Sequence, residues 1–125
     1  MPANNQAPAY REKTVLIAFD KTLLAAQEFK DQSLFFADDC DVEILALHGT
    51  QTGAYQLQLQ DPSGRWISSS YINNTNCVGT AASPFVLPRS LVIPAKAKLG
   101  INIKDTSAAG NTVQLIFTCL RRERQ

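Results

Sequence analysis

Residues 84–119 read PFVLPRSLVIPAKAKLGINIKDTSAAGNTVQLIFTC, and this stretch decides the fold class. It contains two runs in which every second residue is apolar, the pattern of a strand with one buried face. The segment between the runs, Asp105 to Asn111, is rich in small polar residues and glycine, and it predicts the turn of a β-hairpin. The prolines predict strand ends, edges or bends, because proline has no N–H for a central ladder. The apolar positions are Leu99, Ile101, Ile103, Val113, Leu115, Phe117 and Cys119, and the prolines are Pro84, Pro88 and Pro94.

The rest of the chain repeats this pattern of short apolar runs separated by turn residues. Asp61-Pro62-Ser63-Gly64 predicts a tight turn that joins two of the runs as a hairpin. Residues 21–30 fit either one or two helical turns or a strand, and the surrounding strands favour strand or irregular structure. A further short strand is predicted near Cys77. The other predicted strands are residues 13–19, 32–37, 42–48, 54–60 and 65–71.

About eight strands without a long helix predict an all-β fold, an antiparallel β-sandwich. A jelly roll is the leading topology, and another Greek-key sandwich is the alternative. Residues 1–12 are polar and contain two prolines, which predicts an extended N-terminal arm. We therefore expect an arm at 1–12, a single sandwich domain at 13–120 and a basic C-terminal tail at 121–125.

Composition limits the classes of partner. The chain of 125 residues has a net charge of +1, so it lacks the concentrated basic face that direct nucleic-acid binding requires. No run approaches the ~20 apolar residues that cross a bilayer, and no membrane partner is expected. The N-terminus has no apolar signal region, which predicts synthesis in a cytoplasm.

Three widely spaced cysteines predict neither a disulfide framework nor a zinc site, and Cys119 is expected in the core.

No catalytic set can be argued from spacing, and we predict that the chain is not an enzyme. His48 is the single histidine, at the end of a predicted strand, where a structural hydrogen bond is the expected role. Asp38, Asp39 and Asp41 are the best metal candidates, but they lack the spacing of a calcium loop. We therefore predict no catalytic residues, no metal site and no cofactor.

Aromatic side chains support a second hypothesis. Trp66, Tyr55 and Tyr71 lie on predicted strands or beside a turn, and flat aromatic rings can stack on sugars. Packing in a core or an interface is the more common role of such residues. The alternative function is therefore that of a carbohydrate-binding jelly-roll module.

From Asp41 to the C-terminus the chain carries a series of turn motifs. They comprise a D-x-S-G-R turn, a proline-framed apolar segment and a polar final turn. Their residues are Asp61, Ser63, Gly64, Arg65, Pro84, Pro88, Pro94, Ala95, Asp105, Ser107 and Asn111. This series resembles the capsid cement (decoration) proteins of tailed bacteriophages, a group of small structural virion proteins.

The resemblance implies a jelly-roll-like domain that binds the outside of a shell of major capsid protein. It also implies a homodimer or homotrimer, located on the capsid surface of the virion and made in the host cytoplasm. Flexible ends can order on a partner, so the arm and the tail are the expected bridging elements. The predicted partner-binding residues are Tyr10, Arg11, Trp66, Arg121, Arg122 and Arg124.

Overall fold

The computed structural model describes residues 10–124, and of Tyr10 and Arg124 it describes the backbone. This part of the chain forms eight strands and one short helix, which confirms the predicted all-β sandwich. The helix α1 is Asn74–Cys77, and it is not of a length that could cross a membrane. The strands are β1 Tyr10–Leu23, β2 Glu28–Phe35, β3 Val42–Gln51, β4 Tyr55–Gln60, β5 Ile72–Asn73, β6 Phe85–Ile93, β7 Lys98–Asp105 and β8 Asn111–Arg124.

The strands form two four-stranded antiparallel sheets. Sheet A has the order β1-β8-β3-β6, and sheet B has the order β2-β7-β4-β5. Every connection except β4 to β5 passes from one sheet to the other, and the last two strands lie between earlier ones. This wrapping is that of a jelly roll, the topology favoured by the sequence.

The core lies between the two sheets and is built by the alternating residues of β7 and β8. All seven of the predicted inward positions on these strands are no more than 1% exposed, which confirms the predicted faces. Phe117 packs edge-on against Phe36, with ring centroids 5.9 Å apart. Burial raises the pKa of the Cys119 thiol to about 12, so Cys119 is a neutral core side chain as predicted.

The prediction of a β-hairpin across residues 105–111 is wrong. Its two strands do not pair with each other, because β7 belongs to sheet B and β8 belongs to sheet A. β8 pairs with β1 along 14 residue pairs and with β3 on its other side, so both of its edges are occupied. The connection is therefore an arch between sheets, closed by the buried carboxylate of Asp105.

The predicted strand at 65–71 is also corrected. The turn at Asp61 forms, with Gly64 N donating to Asp61 O at 3.0 Å and Gly64 at φ +91°. The segment after the turn, however, pairs with β4 only through a single β-bridge between Gln60 and Trp66. Regular pairing with β4 resumes at β5, and the predicted short strand near Cys77 is the helix α1. The serines at 68–70 do not supply the branched or aromatic side chains that favour a strand.

The ambiguous segment 21–30 is strand and turn. β1 continues to Leu23, and a tight turn follows in which Gln27 N donates to Leu24 O at 3.0 Å. Ala26 has φ +60° at this turn, and its N–H donates to the carboxylate of Asp105 at 2.9 Å. β2 then begins at Glu28, so the strand alternative is confirmed.

Both predicted domain boundaries shift outward. Residues 1–9 and 125 lie outside the described residues, but Tyr10–Glu12 belong to β1 and Arg121–Arg124 belong to β8. These two ends pair with each other in the β1–β8 ladder. At these ends, cross-strand ion pairs take the place of alternating apolar residues. The apolar alternation in the sequence therefore stops before the strands themselves end.

Candidate functional site

Three of the predicted partner-binding arginines lie together at one end of sheet A. Arg121 forms ion pairs with Asp39 and Glu123, each at 2.8 Å. Arg11 lies 3.2 Å from Glu123 across the ladder. These charges are paired within the chain, and residues 121–124 of the predicted tail are part of strand β8.

Arg122 lies on the outer face of sheet A, between two acids on neighbouring strands. Its NH2 is 3.1 Å from Glu43 Oε1 on β3, and its Nε is 3.7 Å from Glu12 Oε1 on β1. Of the other predicted residues, Tyr10 and Arg124 pair with each other through the backbone, and their side chains lie outside the described part of the structure. The role of this group in partner binding stays a prediction.

Trp66 is separate from the arginine group, since it pairs with β4 of sheet B. Its side chain is 46% exposed and therefore available to a partner. The other two aromatic candidates, Tyr55 and Tyr71, have structural roles within the fold. Tyr55 is wholly buried and cannot face a ligand. Tyr71 donates its hydroxyl to Glu28 Oε2 at 2.6 Å, and burial together with this bond raises its pKa.

The outer face of sheet A carries an apolar surface that the sequence reading missed. Leu16, Thr118, Ala46 and Val86 lie in one register row across all four strands. Leu16 is 64% exposed and Val86 is 67% exposed on the two edge strands, whereas Thr118 is partly exposed and Ala46 is buried between them. The signal was present in the run KTVLIAF at 13–19, where apolar residues fall on both faces of one strand.

An apolar cleft opens between the sheets along the side of β4 and β6. It consists of two adjoining cavities of about 360 and 300 Å³ that share Leu59, Ile67, Leu87 and Pro88. The cleft exists because β5 has only two residues, and because β6 leaves the ladder between Val86 and Leu91. Aliphatic side chains dominate its lining, so it can hold an apolar group but offers little for proton transfer.

The residues considered for chemistry have structural partners. Asp39 pairs with Arg121, and Asp41 Oδ1 accepts a hydrogen bond from Ala95 N at 3.1 Å. Half-buried His48 lies in β3 and forms a parallel β-bridge with Gly79. Within residues 10–124, no three His, Cys, Asp or Glu side chains form a cluster that could hold a metal ion.

Comparisons with known proteins identify no family. No protein-family profile and no curated protein sequence matches the chain. A subunit of Bacillus endospore appendages, described as a novel family of disulfide-linked pili, aligns with a TM-score of 0.39 and 16% identity, over 100% of this chain and 97% of that one. The VP2 subviral particle of infectious bursal disease virus aligns with a TM-score of 0.26 and 14% identity, over 99% and 42%. Both scores are low, and the resemblance to capsid cement proteins stays a prediction.

Proposed function

We propose that this chain is a structural virion protein that oligomerises and binds the outer surface of a phage capsid. In this role it bridges and stabilises neighbouring subunits of the major capsid protein. The observation that carries the proposal is the apolar row Leu16–Thr118–Ala46–Val86 on the outer face of sheet A. Exposed apolar side chains grouped on one face of a small domain are typical of a protein–protein contact.

The surroundings of this row match the anatomy of an interface. Val92, on the same face of β6, is 48% exposed and extends the apolar area toward Glu43. Ile116 and Leu120 flank Thr118 on β8 and are partly exposed. The paired charges of Glu12, Arg122 and Glu43 border one end. An apolar centre with a polar rim is the usual arrangement of a protein–protein interface.

The fold suits a role that depends on repeated contacts. Two packed sheets hold the apolar row rigid, so binding does not require the face to be ordered first. A homodimer or homotrimer presents several copies of the face at once. Linked copies can raise the effective affinity by ~10² to 10⁴ without any single strong contact. The charged ends of β1 and β8 then orient the protein on its partner, and the apolar row contributes most of the affinity.

The proposal is tested by removing the protein from virions that carry it and adding the purified chain back. Stripped shells are expected to break at a lower temperature, and the wild-type chain is expected to rebind and restore their stability. Leu16→Glu places a charge at the β1 end of the row, on one of its two most exposed apolar positions, and is expected to abolish rebinding. Leu24→Glu is the matched control, because Leu24 is 71% exposed at the β1–β2 turn, away from the row.

Two results contradict the proposal. The first is a stripped shell that is as heat-resistant as the intact virion and takes up no added chain. The second is equal rebinding of Leu16→Glu and Leu24→Glu, which would exclude the outer face of sheet A as the contact. Size-exclusion chromatography of both variants shows whether Leu16 acts through oligomerisation or through the capsid contact itself.

A further inference from the structure

The outer face of sheet B holds a polar trough that is built by strand register. Ser33 of β2 pairs with Gly100 of β7, Gly100 pairs with Gln60 of β4, and Gln60 bridges to Trp66. Directly paired residues of antiparallel strands point to the same face of the sheet. Both sequence neighbours of Gly100 are buried in the core, so this row lies on the outer face. Because Gly100 has no side chain, the row has a depression in its middle.

The depression is large enough for a small polar ligand. It encloses about 230 Å³. Neighbouring strands are spaced by about 4.8 Å, so three spacings place the backbones of Ser33 and Trp66 about 14 Å apart. The polar residues that line it are Asp31, Gln32, Gln60, Asp61, Lys98 and Asn102.

Several of these polar groups are held in place with an acceptor toward the trough. Gln60 donates its Nε2 to Gly64 O at 2.7 Å. Its Oε1 lies over Gly100, 3.1 Å from the position that a Cβ would take there. Asp61 Oδ1 accepts hydrogen bonds from Ser63 and from Arg65 N, and these bonds lower the pKa of Asp61. Asp61 is therefore an ionised, hydrogen-bonded acceptor near neutral pH.

Asp31 is fixed on the opposite side of the trough. Its N–H donates to Asn102 Oδ1 at 2.8 Å, and Asn102 Nδ2 donates in turn to Gln58 Oε1 at 3.3 Å. Asn102 is only 6% exposed, so this amide network is part of the fold. It holds Asp31 at φ +59°, in a bulge of β2. The backbone that carries the Asp31 carboxylate is thus held in place on this side of the trough.

Two exposed aromatic side chains share the outer face of sheet B with the trough, each directly opposite a residue that lines it. Trp66 is directly opposite Gln60 and is 46% exposed. Phe35 is directly opposite Lys98 and is 44% exposed. Flat aromatic surface beside fixed carboxylate and amide acceptors is complementary to a sugar, which has apolar C–H faces and equatorial hydroxyl donors.

We propose that this trough binds a neutral carbohydrate. One ring of an oligosaccharide stacks on Trp66, and the next ring lies in the trough, where its hydroxyls donate to Gln60 Oε1 and to the carboxylates of Asp61 and Asp31. Lys98 donates to a ring or hydroxyl oxygen. Two carboxylates against one lysine select against acidic sugars by charge repulsion. The site goes beyond the proposed function, because it lies on sheet B whereas the apolar row lies on sheet A.

The test uses the full chain on an array of neutral and sialylated glycans, followed by calorimetric titration of any glycan that binds. Binding to at least one neutral glycan is expected. Trp66→Ala is expected to weaken it about tenfold, since the aromatic platform is lost. Gly100→Val fills the trough and is expected to abolish it. Leu24→Ala, at an exposed position of the β1–β2 turn, is the control and leaves binding unchanged.

The result of the glycan experiment is independent of the result of the capsid experiment, because the two concern different sheets. No binding of the wild-type chain to any glycan, or binding to acidic glycans alone, overturns the inference. Equal affinity of the wild-type chain and Trp66→Ala also overturns it. Trp66 is exposed, so this variant is expected to keep its circular dichroism spectrum and remain interpretable even if Gly100→Val does not fold.

Discussion

The side-chain amide of Asn111 and the carboxylate of Asp105 lie at the two ends of the β7–β8 arch, with Nδ2 of Asn111 3.4 Å from Oδ1 of Asp105. Both residues are almost fully buried. Asn111 Nδ2 also donates to Gly53 O at 2.6 Å, and Asp105 Oδ2 accepts from Ala26 N at 2.9 Å. These bonds link the β1–β2, β3–β4 and β7–β8 connections at one end of the sandwich.

Asp105→Asn is expected to destabilise the fold although it preserves side-chain shape. The carboxylate accepts bonds from Ala26 N, from Ser107 N and Oγ, and from Asn111 Nδ2. An amide in its place turns an NH₂ group toward one set of these donors and leaves them unpaired. We expect the melting temperature to fall by roughly 5 °C or more. Asp38→Asn, at an exposed aspartate, is the control, and equal melting of both variants would contradict the role of Asp105.

The stabilisation by Asp105 is expected to depend on pH. The hydrogen bond from the Ser107 hydroxyl is the main cause that lowers the pKa of Asp105, to about 2. In the unfolded chain an Asp carboxyl has a pKa of about 3.9. Since the folded value is the lower one, the stabilisation is complete above the unfolded pKa and is lost as the pH falls toward 2. The melting difference between the wild-type chain and Asp105→Asn should therefore shrink between about pH 5 and pH 2. A difference that stays constant over this range would argue against the bonded carboxylate.

Leu115→Ala is expected to cost about 2–5 kcal/mol in the free energy of unfolding, because it leaves a cavity in the core. Leu115 is fully buried on β8, the strand that pairs with both β1 and β3. Urea denaturation measures the loss. Leu24→Ala serves as the matched control, since Leu24 is 71% exposed and its truncation should change stability by less than about 0.5 kcal/mol. Similar losses for both variants would mean that the inward face of β8 is misassigned.

Arg122→Ala is expected to have a small, salt-dependent effect on stability. The Arg122 side chain is 52% exposed and lies between Glu43 and Glu12. Exposed ion pairs contribute about 0–1 kcal/mol, and added salt screens them. We expect a loss below about 1 kcal/mol at low salt that shrinks at high salt, as measured by urea denaturation. Lys13→Ala, at an exposed lysine on the same strand pair, is the control. A loss that high salt leaves unchanged would indicate packing by the arginine stem rather than charge pairing.

Local patterning was sufficient to predict most of the strands and the buried faces of β7 and β8. The alternation around Leu99 and Leu115 identified the core side of β7 and β8, because a strand has a side-chain period of two whatever its partner. The prolines were expected at strand ends, edges or bends, and Pro88 does lie in β6, the edge of sheet A, with Pro84 and Pro94 just outside the two ends of that strand. Conversely, Arg121 and Arg122 were assigned to a free tail, because cross-strand charge pairs leave no apolar period in the sequence.

The candidate surfaces depend on residues that are distant in sequence. Leu16 and Val86 share one register row, and so do Ser33 and Trp66, but no local pattern reports which strands become neighbours. The sequence by itself determined the fold class, most strand positions and the inward faces of β7 and β8, since these follow from period and turn chemistry within a few residues. Only the tertiary structure decided that residues 105–111 form an arch rather than a hairpin, because strand pairing depends on which distant edges remain free, and β1 and β3 occupy both edges of β8.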